Sequence, residues 1–233
     1  MDKILDLLKK YENNLVIRPL LQLIPCGIGS GIDSFLVIKL NKMRQERAAI
    51  FFDELSKGNI DQNSNYLKTE EYVHKYILTM KYVLNTKQKE KIKMYAKIFK
   101  NSLDENKNIF DVDIFEDFIE ILNELTFREI IALSIFESFN VITKDIEENE
   151  LQWVNKFWNE FEEKMEKEFN IPKSYINSFM IRITRTGCYE VFNGNYHSYT
   201  GGKGSLTPLY YELKSYIVDD SHVFVERSVP NAI

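Results

Sequence analysis

The stretch CYEVFNGNYHSYTGGKGSLTPLYYELKSYI, residues 188–217, constrains the fold more than any other part of the chain. CYEVF alternates as a strand does, with successive side chains sent to opposite faces. NGN is a tight-turn signal of the kind that closes a hairpin. GGKG loosens the return strand. LTPLYYELKSYI then switches to helical spacing, with Thr207 placed as N-cap and Pro208 at the first helical position. Three helical patterns precede this stretch. LTFREIIALSIFESF opens at Thr126, with Glu129 three residues on, a capping box. EENELQWVNKFWNEFEEKMEKEF carries Leu151, Trp153, Val154, Phe157, Trp158, Phe161 and Met165 as its buried side. IPKSYINSFMIRITRTG opens at Pro172 and closes at Gly187. Helix, helix, helix, hairpin, helix is the order of a winged helix.

The first half of the chain reads as helices alone. TEEYVHKYILTMKYVL has Thr69 as N-cap and Tyr72, Val73, Tyr76, Ile77, Met80 and Leu84 on one face. TKQKEKIKMYAKIFKNSL sets Lys87, Lys89, Lys91, Lys93, Lys97 and Lys100 around an apolar line of Ile92, Tyr95, Ala96, Phe99 and Leu103, a solvated face. DVDIFEDFIEILNEL is rich in acids (Asp111, Asp113, Glu116, Asp117, Glu120 and Glu124) and is placed to neutralise the lysine helix beside it. These acids have no histidine partner in reach of the pattern, so neither acid–base chemistry nor a metal role is expected of them. From Ile32 to about Lys57 the apolar residues Ile32, Phe35, Leu36, Leu40, Met43, Ile50 and Leu55 make one face. Lys39, Lys42, Arg44 and Arg47 then lie outward, as a solvated surface or as a basic ridge for phosphate or an acidic partner. Gly58 is placed as the C-terminal cap.

The uncharged stretch within residues 15–40 is short and broken by Pro19, Pro25, Gly27, Gly29 and Gly31. A membrane span needs roughly 18 or more consecutive apolar residues, so a buried helix, turn and helix is expected instead. The fold class expected is mainly α: a helical body over 1–125, a winged-helix-like module over 126–218, and a tail over 219–233.

Chemistry-bearing motifs are scarce. The chain has three histidines, His74, His197 and His222, without metal-ligand spacing, and two cysteines, Cys26 and Cys188, too far apart in pattern for a metal site or a disulfide framework. Cys188 reads as a core residue, and a reducing cytoplasm is the expected setting. The opening MDKILDLLKKYENN has acids inside its apolar pattern and does not read as a signal peptide. TGGKGS fails as a phosphate-binding loop, because His197 stands where the first glycine belongs and Gly204 where Ser or Thr is required. No catalytic residue, metal or cofactor is expected.

A resemblance adds to this. IPCGIGSGIDSFL (24–36), RQERAAIFFDEL (44–55), TRTGCYEVF (184–192) and LTPLYYEL (206–213) resemble bacterial and phage helical proteins of the abortive infection alpha type. In those proteins a glycine-containing apolar hairpin precedes a basic helix, and the winged-helix-like end carries an LTPLG-type phrase. Here Tyr210 stands where that phrase has glycine. The resemblance implies a non-enzymatic protein linked to phage defence or counter-defence, and it supplies no catalytic residues.

Two functions lead, ahead of a membrane-acting effector built on the 15–40 hairpin. In a DNA-binding regulator, Arg182 and Arg185 would read the groove from the third helix. Lys173 and Lys203 would meet phosphate, with Tyr196, His197 and Tyr199 at the wing. Residues 171–217 carry five basic residues against two acids, in a chain whose net charge is −5. Residues 140–170, however, carry nine acids against four basic residues, and acids beside the groove repel the DNA backbone. The expectation is therefore a protein partner, or a second copy of the chain, contacted through the same residues.

Overall fold

The computed structural model describes residues 34–57, 65–142, 149–192 and 201–218, together with positions 6, 9–12, 17 and 20. The glycine-containing turn at 24–33, the Gly58 cap, the wing tip at 193–200 and the tail at 219–233 lie outside the described residues. The protein is mainly helical, with one short antiparallel hairpin near the C-terminus. It divides into two compact units, Met1–Asn123 and Glu124–Ile233.

The first unit holds α1 (Ser34–Leu55), α2 (Glu70–Val83), α3 (Lys89–Asn101) and α4 (Val112–Glu124), whose last residue begins the second unit. Thr69 caps α2 as expected, its hydroxyl accepting from the Tyr72 N–H. Helix α1 packs chiefly on α3. There Phe99 gathers an aromatic core, with ring centroids 6.0 Å from Phe51, 5.9 Å from Tyr72 and 6.1 Å from Tyr76. The buried side of α1 is Ala48, Phe51, Phe52 and Leu55. Leu40 and Met43, expected on that side, are exposed. The apolar residues of α1 surround the helix rather than forming a stripe, so contact with α3, not periodicity, selects the buried ones.

Helix α2 departs from expectation in an informative way. Tyr72, Tyr76, Met80 and Leu84 are buried, but Val73 and Ile77 face outward, and their places inside are taken by Lys75, Thr79 and Val83. The Lys75 ammonium donates to the carbonyls of Ser102, at 3.1 Å, and Phe110. It also lies 5.3 Å from the ring of Tyr66, 5.0 Å from Phe110 and 5.5 Å from Phe115. Two carbonyl dipoles and three ring faces thus replace the water an ammonium loses on burial. They replace it incompletely. Burial pulls the Lys75 pKa down from 10.5 to about 8, against the opposing pull of Glu71 and Asp111. Lys91, expected on a solvated face, is likewise buried and donates to the Asn123 carbonyl at 3.0 Å.

The second unit holds α5 (Phe127–Ser138), α6 (Glu150–Phe169), α7 (Lys173–Ile183), β1 (Tyr189–Val191), β2 (Gly204–Leu206) and α8 (Pro208–Ile217). This is the helix, helix, helix, hairpin, helix order of a winged-helix-like module. Both ends of the pattern are set by caps legible in sequence. Thr126 and Glu129 form the capping box of α5, and Thr207 caps α8 with Pro208 in its first turn. A second capping box, Asn149 with Gln152, starts α6. The core is centred on Phe136, whose ring lies 5.4 Å from Phe157, 5.5 Å from Phe161 and 5.5 Å from Tyr189. Strand β1 thereby joins the α5–α6 core. The register pairs Tyr189 with Leu206, Glu190 with Ser205 and Val191 with Gly204.

Lys75 gives a signed pH dependence. Its folded pKa lies below its ordinary value, so the unfolded chain binds the extra proton between about pH 8 and pH 10.5. The contribution of Lys75 to stability therefore rises with pH across that window and falls as pH drops through 8. Chemical unfolding of the parent and of Lys75→Met at successive pH values measures it. The parent should gain about 3 kcal/mol on the variant across the window. A constant difference would show that Lys75 titrates as an exposed lysine does.

A candidate contact surface on the winged-helix-like module

The residues expected to touch a partner sit on α7 and at the hairpin, and the structure gives most of them internal employment. Helix α7 ends in a 3-10 turn, Thr184–Thr186, which places Arg185 one turn beyond Arg182. Gly187 closes the turn at φ 72, a conformation that favours glycine. From there both guanidinium groups reach back to one carboxylate. Arg182 Nε donates to Glu129 Oε1 at 2.9 Å. Arg185 is bidentate, donating to Oε1 at 2.8 Å and to Oε2 at 3.0 Å. Arg185 also donates to the carbonyls of Glu124, at 2.6 Å, and Arg182, at 2.5 Å.

The Glu129 side chain is fully buried, while those of Arg182 and Arg185 are 54% and 36% exposed. Burial alone would raise the carboxyl pKa. Hydrogen bonds from Arg185 and Thr126 and the Arg185 charge outweigh it and hold Glu129 down at about 2. The same carboxylate accepts from the Thr126 backbone N–H at 2.7 Å, so the capping box of α5 and the clamp on α7 share one side chain. Arg182 and Arg185, expected as contacts for a partner, are thus paired with Glu129 within the module, although their side chains stay partly exposed. Charge-assisted hydrogen bonds to a buried anion are the stronger class, and breaking them would leave that anion without compensation.

Lys203 is half-buried and lies along α6, donating to Asn155 Oδ1 at 2.6 Å and lying 5.7 Å from the Trp158 ring. The glycines around it are packing positions rather than loose ones. A Cβ on Gly202 would meet the Asn177 carbonyl oxygen at 2.6 Å, and one on Gly204 would meet that of Glu190 at 1.9 Å. Lys173, at the start of α7, lies 3.6 Å from Glu163 on α6. Tyr196, His197 and Tyr199 fall outside the described residues.

The basic ridge on α1 divides. Lys39 and Lys42 are exposed, whereas Arg44 and Arg47 are half-buried, with Arg47 donating to the Leu84 carbonyl. Cys188 is buried, and burial pushes its thiol pKa up, as suits a core residue rather than a nucleophile. Among the described residues no helix is long and apolar enough to cross a membrane. Ile17 and Leu20, from the apolar segment before α1, are buried, and the Tyr76 hydroxyl donates to the Leu20 carbonyl at 2.6 Å.

Exposed apolar side chains are present on the module at Tyr175 (64%), Tyr211 and Ile181. Sequence reasoning passed over these and over Glu129 as an organising charge. The signal for Glu129 was available: a capping acid followed by IIALSIF, apolar but for Ser134, belongs to a helix buried on several sides. Comparison with protein-family models, with curated proteins and with solved structures finds no match for the chain.

Glu129→Gln should lower the stability of the second unit by about 3 kcal/mol near neutral pH, because two guanidinium groups lose their anion. In the parent, the Glu129 contribution is complete above the ordinary carboxyl value of 4.5 and is lost as pH falls through about 2. Acid titration followed by tryptophan fluorescence of Trp153 and Trp158 should show that loss in the parent and not in Glu129→Gln. Equal stability of the two proteins at neutral pH would remove Glu129 from the centre of the module.

Proposed function

We propose that this is a non-catalytic recognition protein that binds another protein in the cytoplasm, with phage–host conflict as the setting implied by the resemblance to abortive infection alpha proteins. One observation carries the choice between a protein and DNA as partner. The two arginines best placed to read a groove are both held by Glu129, and Lys203 is held by Asn155 and Trp158. DNA affinity is dominated by cations free to neutralise phosphates, and recruiting these ones means uncovering a buried carboxylate. Helix α6 adds exposed acids at Glu160, Glu163, Glu166 and Glu168 within the same module. Apolar side chains at Tyr175, Ile181 and Tyr211 stand in solvent there and suit a protein surface better than a phosphate backbone. A second copy of the chain is a partner of the same kind.

Fluorescence anisotropy with a labelled duplex tests this. The parent should show no salt-sensitive binding between about 0.05 M and about 0.15 M salt, where a protein making several phosphate contacts loses orders of magnitude in affinity. Tight duplex binding near about 0.15 M salt, weakened in Lys173→Ala and Lys203→Ala, would make the protein a DNA-binding regulator instead.

A further inference from the structure

Helices α2 and α4 of the first unit carry outward stripes of the same period. On α2, Glu70, Val73, His74, Ile77 and Lys81 follow the i, i+3, i+4, i+7, i+11 spacing of one helical face, and all five are exposed. Ile77 is 60% exposed and Val73 38%. On α4, Asp113, Glu116, Asp117 and Glu120 repeat that spacing, and every one is acidic. The two stripes adjoin. His74 Nε2 lies 2.5 Å from Glu116 Oε1, and the Tyr82 hydroxyl donates to the Glu120 carboxylate.

The lysine helix does not turn its ion pairs toward these acids. Lys93 pairs with Glu90 on its own helix, and Lys97 lies 4.0 Å from Glu54 on α1. Asp113 and Asp117 face solvent. Single exposed isoleucines are ordinary on protein surfaces. A Val–Ile pair four residues apart, running beside a stripe of one charge sign, supplies both an apolar anchor and a charge register.

We propose that this α2–α4 face docks a cationic amphipathic helix of a partner protein. The proposal rests on the reading of the molecule as a protein-binding one. Such a helix would lay apolar residues, spaced by three and four, on Val73 and Ile77. Its lysines or arginines would lie toward Asp113 and Asp117, where charge complementarity steers association and sets orientation, while Glu120 is held by Tyr82 beside Lys81. The outward rotation of Val73 and Ile77 follows from the inward placement of Lys75 and Thr79, so the burial of one cation creates the apolar half of the face.

The test uses the full chain and a labelled helical peptide of leucine and lysine in amphipathic order, with its leucine–glutamate counterpart as comparison. Anisotropy should show binding of the lysine peptide alone. Ile77→Asp should weaken it about tenfold or more, through loss of a buried apolar contact. Asp113→Asn with Asp117→Asn should weaken it about threefold, as exposed ion pairs do. Glu160→Gln with Glu168→Gln, an equal charge change on α6, should leave it unchanged. Circular dichroism checks that each variant is folded, and Val73→Asp stands in if Ile77→Asp is not.

Failure of the peptide to bind, an equal loss in the α6 pair, or indifference to both Ile77→Asp and Val73→Asp would overturn the proposal. So would a dimer of the parent that Ile77→Asp dissolves, which would give the face to a second copy. Duplex anisotropy on the same samples separates the two levels. DNA binding by the parent sinks the protein-binding reading, whereas no DNA binding with an indifferent Ile77→Asp sinks this face alone.

Discussion

Glu129 is a carboxylate with no solvent exposure, set in the first turn of a helix whose next seven residues are buried. An ionised carboxylate in that position is tolerable only when nearly every lone pair has a donor. The second unit meets that demand with two guanidinium groups from the end of α7 and with the hydroxyl and backbone N–H of Thr126. Arg185 extends the same network to the Glu124 carbonyl, one of the acceptors that a helix C-terminus leaves without an intrahelical partner. The start of α5 and the end of α7 are thereby fixed around one anion. The direction in which α7 delivers the chain to Gly187 and β1 depends on that fixation. So does the pairing of its two arginines with Glu129.

The first unit solves the opposite problem. Lys75 is a cation without solvent exposure, hydrogen-bonded to carbonyls and faced by rings, with the charges of Glu71 and Asp111 only partly offsetting its burial. Those groups stabilise an ammonium less than water does, which is why burial lowers its pKa while Glu129, with full-charge partners, keeps a low one. The carbonyls it meets belong to Ser102, just past α3, and to Phe110, just before α4. One side chain on α2 therefore ties the connection between two other helices to itself.

These two residues mark the boundary of what the sequence made legible. The caps could be read directly, because Thr69, Thr126 and Thr207 act on backbone groups within three residues of themselves. The element order of the module followed from the caps, the Pro208 start and the strand alternation at Tyr189–Val191. Helix faces were less secure. On α2, Tyr72, Tyr76 and Met80 fit a buried stripe flanked either by Val73 and Ile77 or by Lys75 and Thr79. Hydrophobicity favours the first, and the carbonyls waiting at Ser102 and Phe110 decide for the second. Those acceptors are 27 and 35 residues away in sequence, so no local pattern contains them. The pairing of Arg182 and Arg185 with Glu129 was hidden for the same reason, since that carboxylate lies 53 and 56 residues upstream.

The glycines of the return strand show how a local reading can invert. As a composition, GGKG suggests slack; in the structure Gly202 and Gly204 are where the hairpin presses on α7 and on its own partner strand, with no room for a side chain. Lys203 between them is consequently aimed at α6. Several cations of this protein are engaged internally: Lys75 and Lys91 are buried against carbonyls, Arg47 donates to Leu84, and Arg182 and Arg185 pair with Glu129. The acids of α4 and α6 are left largely at the surface. A formal charge of −5 thus understates how acidic those two helix faces are to an approaching molecule. Long-range attraction follows the accessible charge rather than the total.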